Sequence, residues 1–193
     1  MLGFRDSKIT WSTSLNLSTQ TGTKSEADFI LWYQRRRLLS NNYPVDLVFG
    51  ESKSFGYDCF EKKDIRKLKS LASLFPGSIL VFATMKEQLT KNEKEMISLL
   101  ALWGRKSLKS RETRAPVIIL TATELFASYN LKTTWKEKGD QHAAFAEPAF
   151  FHTENLRTLA DLTQQLYLGL PSYSTWLEQD LRKRYGKRRS AKS

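Results

Sequence analysis

Cysteine and histidine are almost missing from this chain of 193 residues, which has one Cys, Cys59, and two His, His142 and His152. A disulfide framework needs paired cysteines and a zinc centre needs three or four ligands at recognisable spacings, so neither organises this protein. No stretch follows G-x-x-x-x-G-K or G-x-G-x-x-G, which argues against a nucleotide-driven enzyme. No apolar run approaches the roughly 20 residues of a membrane helix. The opening MLGFRDSKIT lacks the apolar centre of a secretory signal, so a reducing, cytoplasmic setting without a membrane is expected. No internal repeat and no low-complexity linker is visible.

What is present is the composition of an ordinary folded protein, 40% hydrophobic and 26% charged. The length suits a single domain over residues 1–193: an N-terminal β segment over 1–25, a core over 26–126 and a helical extension with a basic tail over 150–193. Lys and Arg total 31 against 20 Asp and Glu, a net charge of +11 that favours a polyanionic partner. In the closing RKRYGKRRSAKS, Arg182, Lys183, Arg184, Lys187, Arg188 and Arg189 have no acidic residue among them and are candidates for gripping a nucleic-acid backbone.

The pattern along the chain mixes the two periodicities. ITWSTSLNLSTQ (9–20) suits a strand broken by Thr-Gly-Thr. EADFILWYQR (26–35) and PVDLVFGESKSF (44–55) read as two strands of a hairpin around Ser-Asn-Asn at 40–42. Residues 64–75 place Ile65, Leu68, Ala72 and Phe75 on one helical face, ended by Pro76-Gly77. SILVFAT (78–84) is short and continuously apolar, as in a strand covered on both faces. Thr90 and Glu93 predict a capping box for the next helix, and PVIIL marks a further buried strand. Leu156, Leu159, Leu162 and Leu166 predict a helix ending at Gly169, with a last helix around Trp176, Leu177 and Leu181. Hairpin, helix, strand, helix, strand and helices together predict the α/β class, a mixed central sheet flanked by helices.

The chemistry concentrates in one strand. Residues two apart on a strand share a face, so Glu51 and Lys53 point together, and Glu26 and Asp28 do likewise on the neighbouring strand. A hairpin turning near Ser40 brings Asp28 opposite Glu51. Two carboxylates with a lysine suit phosphodiester hydrolysis. The acids hold Mg²⁺, which offsets charge on the phosphorane and acidifies a bound water; the lysine serves as base or water-positioner, its pKa lowered by partial burial. The spacing (D/E)xK also occurs at Asp6–Lys8 and Glu61–Lys63, but only the Glu51 copy lies inside an apolar strand beside another acidic one. Charge in such a strand is expensive unless it serves a metal or a partner. Trp103, Trp135 and Trp176 read as core more than as base-stacking platforms.

EADFILWY, a turn, VDLVFGESKSFG, a helix and SILVFAT, spanning about residues 26–86, resemble the core of the PD-(D/E)xK, or restriction-endonuclease-like, nucleases. The resemblance implies a restriction-endonuclease-like core and a deoxyribonuclease dependent on Mg²⁺ or Mn²⁺, endonuclease rather than exonuclease. It assigns Asp28 and Glu51, with the backbone carbonyl of Ser52, to metal, and Lys53 to catalysis. Asp46 rivals Asp28 as first acid but falls on the opposite side of a regular strand from Glu51. The family core usually begins with a helix supplying a further acid; residues 1–25 read instead as strand and turn, leaving Glu26 for that role. Gln164 and Tyr167 in LTQQLYLGL stand one residue closer than the Gln and Tyr of some exonuclease members. DNA is the expected partner, with room for protein partners or a homodimer. The alternatives are a nucleic-acid-binding module on the same fold with little or no cleavage, acting within a larger assembly, and a basic protein that binds an acidic one.

Overall fold

The computed structural model describes residues 8–18, 24–34, 45–106, 113–127, 130–152 and 155–190. The turns expected at 21–23 and 40–42, and Asp6, lie outside them. Five strands form a mixed sheet in the order β1-β2-β3-β4-β5: β1 Lys8–Ser18, β2 Lys24–Gln34, β3 Val45–Lys53, β4 Ile79–Thr84 and β5 Val117–Leu120. β1, β2 and β3 pair antiparallel, while β3, β4 and β5 pair parallel through the helical crossovers that parallel neighbours require. β4 is buried along all six residues, which is why its sequence is continuously apolar instead of alternating.

α1 (Lys62–Leu74) and α2 (Lys91–Arg105) cover one face of the sheet. Leu68, Leu71 and Ala72 of α1 and Ile97, Leu100 and Ala101 of α2 meet Ile30, Phe49, Leu80, Phe82, Val117 and Ile119 from the strands. Each fully buried Leu or Ile of this layer contributes about 1.5–3 kcal/mol. α1 stops at Phe75 because Pro76 cannot continue it and Gly77, at φ 87, turns the chain into β4. On the opposite face Val48, Ile79, Val81, Ala83 and Ile118 pack against Ala160, Leu156 and Leu159 of α6 (Leu156–Leu168).

Three helices were not foreseen: α3 (Ala122–Leu125), α4 (Leu131–Lys138) and α5 (Asp140–His152). α5 carries Pro148 in its interior, and α4 has an apolar side too short to stand out as periodic. Their anchor is Trp135, fully buried, whose indole N–H donates to Glu124 Oε1 at 2.7 Å. α6 lies along β5 and places Leu162, Leu166 and Tyr167 in the main core beside Phe82 and Ile119, so it belongs to the body of the domain. α7 (Tyr173–Ser190) carries the basic tail. Among the described residues no helix is long and apolar enough to cross a membrane.

The sheet is closely built around β3. Phe29 lies over Gly50 so tightly that a Cβ there would sit 1.8 Å from the Phe29 Cζ, which makes glycine a packing requirement inside the strand.

Candidate active site

β2 and β3 pair with Phe29 opposite Gly50 as the last rung described, so Asp28 and Glu51 are the next positions outward on the same face. There the ladder gives way to side chains. The Ser52 N–H donates to Asp28 Oδ2 at 2.7 Å, and the Ser52 hydroxyl donates to the same oxygen at 3.1 Å. A residue's N–H and C=O leave the strand on one side, so the Ser52 carbonyl also faces Asp28. The Lys53 carbonyl faces the other way and accepts from Met85 N–H at 3.1 Å.

Glu51 is 3% exposed, next to Phe82 across the parallel ladder. Lys53 Nζ lies 3.2 Å from Glu51 Oε1 and 3.0 Å from Asp64 Oδ2. Asp64 was not foreseen as part of the site. It sits in the first turn of α1, 1% exposed, where its Oδ2 also accepts from the Glu61 N–H at 2.9 Å. An acidic residue three places after a helix start is a capping signal, and the turn that joins β3 to α1 aims that cap back at the strand end. Glu51 Oε2 and Asp64 Oδ1 are buried with no hydrogen-bond partner.

The electrostatics follow from this crowding. Burial, then the negative charges of Asp28 and Asp64, push the Glu51 carboxyl up to about 7, although Lys53 opposes them. For Asp64, burial is outweighed by the Glu61 N–H and the Lys53 ammonium, which hold it below the usual carboxylate range. Lys53 departs from expectation: burial would lower its pKa, but bonds and charges from Asp64 and Glu51 outweigh burial and raise it. As an ammonium, Lys53 donates to both carboxylates and offsets their charge.

Because the raised Glu51 takes up a proton on folding, stability of the metal-free protein is highest below about pH 4.5 as far as this group is concerned, and falls as pH rises toward 7. Urea titrations across that range, compared between wild type and Glu51→Gln, should show a slope in the wild type that the variant lacks; equal slopes would contradict the assignment.

The other candidates disperse. Glu26 is exposed and takes the Lys67 ammonium at 3.3 Å. Asp46 is buried opposite Tyr33, five rungs down β3 from Glu51. Gln164 and Tyr167 are structural: Gln164 accepts from Arg105 Nε at 2.8 Å and donates to the Val117 carbonyl at 2.8 Å, and the Tyr167 hydroxyl donates to Glu124. Gln164 ties α6 to β5, two strands from β3 and on the order of 10 Å away, and Tyr167 ties α6 to α3 just beyond β5. Glu61 and Lys63 of the third (D/E)xK copy pair with each other at the surface. In the tail, Arg182 and Arg184 are exposed, but helix α7 returns them to Glu178 at 3.9 Å and Asp180 at 2.6 Å, which sequence adjacency alone did not reveal. Lys183 is exposed; the side chains of Lys187, Arg188 and Arg189 lie outside those described.

Among the described residues no group of three or more His, Cys, Asp or Glu side chains is gathered to hold a metal ion. The oxygen donors at the strand end that a hard cation could use are the Asp28 and Glu51 carboxylates and the Ser52 carbonyl.

No family model matches the chain. No curated protein matches it either. Among solved structures it is similar to the MspJI restriction endonuclease in complex with a 27-mer oligonucleotide, at 16% identity and a TM-score of 0.35, over 83% of this chain and 26% of that one. The chain therefore spans about a quarter of that neighbour's length, and a likeness of this size sets neither fold nor activity.

Proposed function

We propose that this chain is a metal-dependent phosphodiesterase acting on nucleic acid, DNA foremost, with a restriction-endonuclease-like core and its active site at the end of β3. The observation that carries the reading is the crowding of two buried carboxyls, Glu51 and Asp64, against each other and the Lys53 ammonium, an arrangement that needs a proton or a cation between the acids. Orphaned carboxylate oxygens cost free energy unless a proton or cation relieves them. The succession of three antiparallel strands, a helix and a parallel strand supports the same reading, with the acid on β2 and ExK on β3.

Asp28, Glu51 and the Ser52 carbonyl are the groups to hold Mg²⁺ or Mn²⁺. When bound, the ion supplies positive charge against the phosphoryl oxygens as negative charge develops on them. Lys53 donates to a phosphate oxygen or to the attacking water. Asp64, fixed by the Glu61 N–H, keeps Lys53 turned toward the strand end and acts through it, as a positioning residue. The +11 net charge draws the polyanion in, and its grip weakens as salt rises.

Two measurements test this. Mg²⁺ or Mn²⁺ should raise the melting temperature, more at pH 8 than at pH 5, because the ion must displace the proton that Glu51 holds at low pH. The same ions should switch on cleavage of at least one of supercoiled plasmid, linear duplex, single strands or RNA, and chelator should switch it off. A melting temperature indifferent to both ions, with every substrate intact, would overturn the proposal.

A further inference from the structure

The segment from Ser54 to Cys59, which leaves the strand end that carries Glu51 and Lys53, holds two aromatic rings that no part of the core uses. Phe55 is 57% exposed and Tyr57 is 79% exposed. Their rings stack on each other at a centroid distance of 5.5 Å and an interplanar angle of 11°. A turn closed by Asp58 N–H donating to the Phe55 carbonyl at 3.0 Å presents them, with open space around Gly56 between. Stranding two rings in water gives up the burial that such side chains normally supply, so the arrangement calls for an occupant.

We infer that Phe55 and Tyr57 form a stacking platform for an unpaired nucleobase next to the phosphate held at Glu51 and Lys53. Two observations select a base over a protein. First, the neighbours Ser54, Gly56 and Asp58 are small or polar, and two aromatic side chains offer at most about 300–500 Å². A stable protein contact needs about 800 Å² on each partner, whereas one or two bases are covered by a pair of rings. Second, Phe55 follows Lys53 by two residues, a reach of at most about 7 Å, or about two base steps. In a continuous duplex the faces of the bases are already covered by their neighbours. The substrate that satisfies both the phosphate site and the platform therefore carries unpaired nucleotides at the cut, either as a single strand or as a base turned out of a duplex. The inference rests on the phosphodiesterase reading and narrows its substrate.

The test uses the full chain without divalent cation and DNA carrying 2-aminopurine, whose fluorescence is quenched by stacking. Three oligonucleotides are compared: a single strand, a duplex with an unpaired flap, and a continuous duplex with the probe inside. Quenching of the single strand and flap is expected, while the continuous duplex, whose probe is already quenched by its stacked neighbours, is the control and should show no further quenching. The double variant Phe55→Ala with Tyr57→Ala should lose the quenching and bind the single strand at least about fivefold more weakly. Phe55→Leu with Tyr57→Leu, which keeps the apolar bulk without the π faces, should behave like the alanine pair, and Tyr57→Phe should behave like wild type. No quenching by the wild type, or quenching that survives in the leucine and alanine pairs, overturns the platform. Failure of the wider reading is distinguishable, since it would leave quenching intact with every substrate uncut when Mg²⁺ is restored.

Discussion

On the proposed reading, Glu51→Ala and Lys53→Ala should each reduce cleavage by at least about a thousandfold while the protein still binds DNA. The size follows from the chemistry: charge compensation at a phosphoryl group is a matter of several kcal/mol, and each 1.36 kcal/mol is tenfold in rate. Binding persists because it depends on cations spread over a chain of net charge +11. Lys53→Ala also removes the cation bonded to the Asp64 carboxylate, leaving it buried beside Glu51, so melting temperatures must be recorded with the rates. Asp64→Asn, acting through Lys53, falls between these variants and wild type, in the range of about 10–100-fold. Asp28→Ala should abolish cleavage, and Asp46→Ala should leave the rate per folded molecule unchanged, because Asp46 stands five rungs away opposite Tyr33. Single-turnover rates on one DNA substrate, with affinity measured by anisotropy, decide the series; full activity in Glu51→Ala would move the site elsewhere.

Glu93→Ala should destabilise the protein by about 3–5 kcal/mol, the loss expected when one partner of a buried ion pair is removed. Glu93 is fully buried at the start of α2, where its carboxylate accepts from Phe60 N–H at 2.9 Å and from Thr90 N–H at 2.8 Å. It also takes the Thr90 hydroxyl at 2.7 Å and the Lys86 ammonium at 2.6 Å. Burial works against ionisation, but these donors outweigh it and hold the carboxyl below its ordinary range. Truncation strands Lys86, two backbone donors and the cap of α2 together. At roughly 2–4 °C per kcal/mol for a protein of this size, the melting temperature falls by about 6–20 °C. A loss within 2 °C would show that the network contributes no net stability.

The same two clusters explain what could and could not be read from the residues. The density of aromatic and β-branched residues in 26–35 and 44–55 marks both strands, and a hairpin centred near residue 40 puts Asp28 beside Glu51, the register that the ladder reaches at Phe29 and Gly50. The capping box at Thr90 and Glu93 was equally legible, being a local rule about hydrogen bonds within four residues. Asp64 was not, because a first-turn acid satisfies its own helix first, and only the path of the β3–α1 turn adds a second role. The charge state of Lys53 escaped for a related reason. Burial was foreseeable, but the outcome depends on a second carboxylate, and that arrives from α1. The helices between Thr121 and His152 lack the long apolar stripe that announces an amphipathic helix, since they are pinned by one indole and a polar network around Glu124.

Asp28, Glu51, Lys53 and Asp64 all come from one stretch of the chain, residues 28 to 64, while the walls that dry the site come later. Phe82 of β4 is paired beside Glu51, and α2 and α6 close the two faces of the sheet. Before those walls fold, water surrounds the four charged groups and the burial that pushes the Glu51 carboxyl up is missing. The raised Glu51 is therefore a property of the finished sheet and not of the segment that carries the acids.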